Sequence, residues 1–123
     1  MSQLVRQLNK LWNYHIDEFV GETSEQSQTF FDEIVKYYTQ SHRKYHNLNH
    51  LNELFIILDE INLSDEAVIW SIWYHDFIYD IPGPDNELNS AIIAKDRLLK
   101  LNISESIVNK VYDYIIATQT HKS

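Results

Sequence analysis

Apolar residues recur along the chain at helical intervals. Leu4, Leu8, Leu11, Trp12, Ile16 and Phe19 fall three and four apart, which predicts an amphipathic helix from Ser2 to Val20, closed by Gly21. Thr23-Ser24-Glu25-Gln26 is a helix start signal: acceptor side chains, then an acidic first turn. Phe30, Phe31, Ile34, Val35 and Tyr38 carry the second helix toward Gln40, and the polar, basic run Ser41 to Tyr45 reads as a connection. A third helix begins near His46 or Asn47 with Leu48, Leu51, Leu54, Phe55 and Leu58 on its apolar face. Ser64 is the expected N-cap of a fourth helix holding Val68, Ile69, Ile72, Trp73, Phe77 and Ile78. That segment is apolar nearly all round, so it is expected at the centre. Asp85 is the expected cap of a fifth helix running to Leu98–Leu101, and Ser104 of a sixth with Ile107, Val108, Val111, Tyr114 and Ile115.

Turn residues agree with this reading. The chain has only two glycines and two prolines, and three of the four lie in Ile81-Pro82-Gly83-Pro84, its clearest loop. A β-rich fold of this length needs more. The expectation is a single all-α domain over residues 1–123, built from about six helices. Hydrophobic residues make up 44%, enough for a core without a disulfide, and the absence of cysteine excludes disulfides and thiolate zinc sites. No stretch of about 18 apolar residues suits a membrane span, and Met1 to Lys10 does not read as a signal peptide, so a cytoplasmic protein is the default expectation. A net charge of −8 disfavours a nucleic-acid duplex as partner. It leaves room for a small phosphorylated substrate, because a bound divalent cation inverts the local field.

Three groups of residues carry candidate chemistry. His75-Asp76 interrupts the apolar run from Trp70 to Ile78, and a buried histidine and carboxylate are costly unless paired or bound to a cation. On a helix they point about 100° apart but can converge on one ion at its edge. Imidazole and carboxylate donors suit Fe, Mn, Zn, Ni or Co, with Mg also a candidate; an internal ion pair that orients helices explains the pair equally well. His46 and His50, four apart, can share one helix face and chelate a metal, or face solvent. Asn47 and Asn49 beside them can hold a ligand or cap the helix. Asp80 lies one turn beyond Asp76 and can act as base or orient a ligand. Asp85 and Glu87 read as capping and helix-dipole residues. Thr118 and His121 end the sixth helix, where a histidine is electrostatically favourable. His15 and His42 read as ordinary polar positions, and Trp12, Trp70 and Trp73 as core aromatics.

Taken in order, these pieces resemble a family. Arg43-x-x-His46 followed by His75-Asp76 on a later helix is similar to the HD superfamily of metal-dependent phosphohydrolases. Tyr45-His46-Asn47-Leu48-x-His50, Trp73-x-His75-Asp76-x-x-Tyr79-Asp80, Asn86-Glu87-x-x-Ser90-Ala91 and Ile116-x-Thr118-x-x-His121 resemble a bacterial branch of it. Four ordered motifs are more specific than a bare histidine–aspartate pair. The resemblance implies an HD-like helical bundle with a metal held by His46, His75 and Asp76. It places His50 and His121 nearby, as second-metal or phosphate contacts, and makes Arg43 a phosphate-binding or structural partner. The superfamily completes its metal shell with an aspartate beyond the position of His121. The chain ends at Ser123, so a fold missing its C-terminal helices is the expectation. Guanosine tetraphosphate hydrolases of the superfamily carry Glu-Asp where this chain has Tyr79-Asp80, which argues against that activity.

The leading functional expectation is hydrolysis of a phosphate ester of a nucleotide or other small metabolite. Asp80 or Glu87 would accept the proton, and His121 and Arg43 would stabilise developing charge. The rival is a helical binding or scaffold module that keeps the shape without turnover, for which bared apolar surface favours self-association into a homo-oligomer. A plain bundle with a histidine–aspartate core pair is the third reading.

Overall fold

The computed structural model describes residues 2–41, 43, 47–79 and 85–118. Six helices follow in order: α1 (Gln3–Phe19), α2 (Glu25–Tyr38), α3 (Leu48–Glu60), α4 (Glu66–Tyr74), α5 (Asn86–Lys100) and α6 (Glu105–Ala117). No strand occurs among the described residues, so the all-α expectation holds. No helix among them is long and apolar enough to cross a membrane.

Local chemistry sets the boundaries. Ser2 caps α1 by accepting from the Val5 N–H. Gly21, at φ +115°, then supplies the turn that an L side chain resists. Ser24 and Ser27 form a reciprocal capping box at the start of α2. Ser104 caps α6 through the Ile107 N–H, as its sequence position predicts. Two caps differ from expectation. Asp65, not Ser64, caps α4, because its carboxylate reaches the Val68 N–H three residues on. Asp85 stands at the N-cap position of α5 but makes no side-chain cap bond; its backbone (φ −110°, ψ 25°) has left the extended conformation from which that bond is usually made.

The buried residues form one core cluster reaching from α1 to α6. α4 lies within it, touching α3, α5 and α6, while α1 packs on α2 and α3. Trp12, Trp70 and Trp73 are fully buried. Trp12 meets Trp70 and Trp73 edge-on at 5.4 and 5.2 Å, the favoured geometry for aromatic quadrupoles. Its indole N–H donates to the Ser27 carbonyl at 2.9 Å, which stitches α1 to α2. Across the core, the Arg97 guanidinium grips Glu33 with two bonds of 2.8 and 3.0 Å, joining α5 to α2.

The fourth helix is shorter than its apolar run suggests. It ends at Tyr74 with His75 as C-cap, and Asp76, Phe77 and Ile78 lie beyond it. Phe77 N–H closes a tight turn onto the Tyr74 carbonyl at 3.0 Å. Phe77 stays buried without remaining helical, so the hydrophobic run outlasts the helix. His15 also departs from the expected ordinary polar position, being 5% exposed within the core.

Candidate metal centre

The segment after α4 is held from three directions. Arg43, itself buried, donates from Nη1 to the Asp76 carbonyl at 2.6 Å and from Nη2 to the Phe77 carbonyl at 2.5 Å. Carbonyls at a helix end lack intrahelical donors, and a guanidinium fork supplies two at once. Tyr38 of α2 donates its hydroxyl to the Trp73 carbonyl at 3.0 Å and accepts the Asp76 N–H at 3.3 Å. Burial, reinforced by the Asp76 charge, holds the Tyr38 hydroxyl protonated well above the usual phenol range. Ser90 of α5 accepts the Ile78 N–H at 2.9 Å. These bonds fix where His75 and Asp76 stand.

His75 is locked in orientation. Its Nδ1 lies 2.8 Å from the Ile72 carbonyl, which only accepts, so Nδ1 carries a proton. Its Nε2 then faces Asp76 Oδ2 at 3.1 Å. A neutral ring would set its lone pair against a carboxylate oxygen. The contact is attractive only when a cation, a proton on the ring or a metal ion, lies between them. Two donors each about 2.1 Å from one ion, and at right angles around it, stand about 3.0 Å apart. The observed separation suits a shared metal as well as an imidazolium–carboxylate hydrogen bond, and an imidazole whose other nitrogen is tied to a carbonyl is the usual form of a metal-ligating histidine.

His50 completes a group. One ligand atom each from His50, His75 and Asp76 lies within 4.8 Å of the others. The His50 and His75 rings have centroids 6.1 Å apart. His50 arrives there because Asn47 is the N-cap of α3, accepting from the Asn49 and His50 N–H groups. Of the two roles open to Asn47, the structure shows the cap. Donors of this hardness, two imidazoles and a carboxylate, fit a divalent first-row ion. No protein-family model matches the chain, and no curated protein or solved structure matches it.

The remaining site residues divide clearly. His46, Asp80 and His121 lie outside the described residues, as does the loop Ile81 to Pro84. Glu87 is buried in the first turn of α5, one turn before Ser90, and is not part of the three-residue group among the described residues. Arg43 contacts the backbone beside the candidate ligands, and its guanidinium also lies over the Tyr38 and Tyr79 rings at 4.9 and 5.7 Å. The hydroxyl roles of Tyr38 and Ser90 were not legible in the sequence. Tyr38 reads as one more apolar helix position and Ser90 only as a member of the third motif; each matters through a hydroxyl whose partner is distant in sequence. Beside His75 a groove of about 370 Å³ runs between α3, α4 and α6, walled by Leu54, Val68, Ile72 and Tyr114.

Proposed function

We propose that the chain is a metal-dependent phosphohydrolase acting on a phosphate ester of a nucleotide or other small metabolite. The observation that carries this reading is the His75 Nε2–Asp76 Oδ2 contact of 3.1 Å beside His50, in a tautomer suited to ligation. His50, His75 and Asp76 would hold the ion, with His46 as the further ligand implied by the resemblance. When bound, a divalent ion supplies Lewis acidity, polarising a phosphoryl oxygen and letting water ionise near neutral pH. Ile72 fixes the ligating edge of His75 through Nδ1–H. Arg43 acts as a positioning residue, holding the Asp76 and Phe77 carbonyls so that the carboxylate faces its histidine. Asp80 or Glu87 accepts the proton, and His121 stabilises the developing negative charge. The apolar groove at His75 receives the organic part of the ester.

The test is turnover by the purified chain loaded with Mn or Fe. Hydrolysis of bis(p-nitrophenyl) phosphate or of a member of a nucleotide panel is expected, with loss in His75→Ala. No turnover of any of these substrates by metal-loaded protein would overturn the enzymatic reading.

A further inference from the structure

A second cavity, of about 330 Å³, shares no residue with the metal candidates. That volume lies within the usual range of small-molecule sites, about 300–1,000 Å³. It is framed by one face of α1 and one face of α3. α1 contributes Leu11, Tyr14, His15 and Glu18, α3 contributes Phe55, Leu58 and Asp59, and Asn62 follows just beyond the end of α3. The α1 residues follow the i, i+3, i+4, i+7 pattern of a single helix face, and the three α3 residues share one face at i, i+3 and i+4. Leu11, Phe55 and Leu58, with Ile69 of α4, form the apolar walls. Glu18 and Asp59, both exposed, supply one carboxylate from each helix, and no lysine or arginine borders the space among the described residues.

His15 gives the cavity a defined polar contact. The Trp73 indole N–H donates to His15 Nδ1 at 3.0 Å, so the neutral ring carries its proton on Nε2. Burial lowers the His15 pKa to about 4, so the ring is neutral at physiological pH. Among the described residues Nε2 has no hydrogen-bond partner, yet Tyr74 Oη is the one sealed side-chain polar atom there without a partner. The His15 Nε2–H is therefore open, and the cavity is the space its ring borders. A ligand acceptor entering the cavity would take this open donor in place of water.

We propose that this cavity binds a small organic cation that has an apolar or aromatic body and a neutral hydrogen-bond acceptor, the chemistry of an aryl-alkylamine. The ammonium group sits between Glu18 and Asp59, the body lies against the apolar walls, and the acceptor takes the His15 Nε2–H. Anionic ligands are disfavoured, since two carboxylates line the space and its histidine carries no charge to offset them.

The experiment is a titration followed by the tryptophan indole ¹H–¹⁵N resonances, with tyramine as probe and 4-hydroxyphenylacetate as its anionic counterpart. Tyramine is expected to shift the Trp73 indole signal saturably, because that N–H is bonded to the ring the ligand touches. The E18Q/D59N double variant alters only exposed side chains and so keeps the fold. It is expected to weaken tyramine binding about tenfold, from two exposed charge contacts of roughly 0.7 kcal/mol each. Absence of a saturable shift at millimolar tyramine would overturn the proposal. So would equal binding of 4-hydroxyphenylacetate, or unchanged tyramine affinity in the double variant.

Discussion

Two histidines meet α4 within two residues of each other and are accommodated in opposite ways. His15 approaches from α1 and accepts the Trp73 indole N–H, a neutral-to-neutral bond inside the core. His75 stands at the C-terminus of the same helix, its proton tied to Ile72 and its other nitrogen turned to a carboxylate. Burial drives the first toward neutrality. The second sits where a positive charge, on the ring or on a metal, makes its nearest contact favourable. One histidine therefore belongs to the folding of the core, while the other faces a carboxylate that favours positive charge beside it. The difference comes from the partner: an indole can only donate, and an ionised carboxylate can only accept.

The sharpest way to break this comparison is to delete each ring in turn. His15→Ala leaves the Trp73 N–H buried without an acceptor and opens a cavity, and is expected to cost about 2–4 kcal/mol in urea unfolding. His75→Ala, at a partly exposed helix end, is expected to cost under about 1 kcal/mol in metal-free protein. Equal losses would show that both are core residues. Acid separates them further. His15 has a folded pKa of about 4 against 6.5 unfolded, so the unfolded chain takes up the proton first as pH falls. Its contribution to stability is fully present above pH 6.5 and fades toward pH 4, by up to about 3 kcal/mol. The difference in unfolding free energy between wild type and His15→Gln should shrink across that window. A constant difference would contradict the neutral, indole-bonded ring.

A smaller effect sharpens the other side. Arg43→Lys cannot reach both carbonyls at once and is expected to cost about 1–3 kcal/mol, together with weaker metal affinity, since the 76–77 backbone is no longer fixed. Asn47→Ala removes a helix cap and should cost about 1 kcal/mol. Loss of stability without loss of metal affinity in Arg43→Lys would separate that residue from the site.

The helical stripes were readable because each depends on residues near in sequence. α1, with Leu8, Trp12 and Ile16 buried, and α6, with Val108, Val111 and Ile115 buried, follow their periodicity. The end of α4 was not readable. Phe77 and Ile78 prolong the apolar pattern, whereas the turn after Tyr74 is held by Arg43, Tyr38 and Ser90, all remote in the chain. His15 carried a signal that passed unused: it lies four residues from Leu11 and three from Trp12, on the buried stripe. At the candidate centre, His75, Asp76 and His50 come together, while His46, the first ligand the resemblance implies, lies outside the described residues. The ring that stands beside His50 is His75, from the end of another helix, a proximity no sequence spacing reveals.

Metal content decides the account most directly. The wild-type chain, purified with Mn, Fe or Zn supplied and then freed of excess ion, should retain about one ion per chain by elemental analysis. His75→Ala should lose it while His15→Ala keeps it. Equal metal in wild type and His75→Ala, or none in either, would contradict the assignment of His50, His75 and Asp76 as a metal centre.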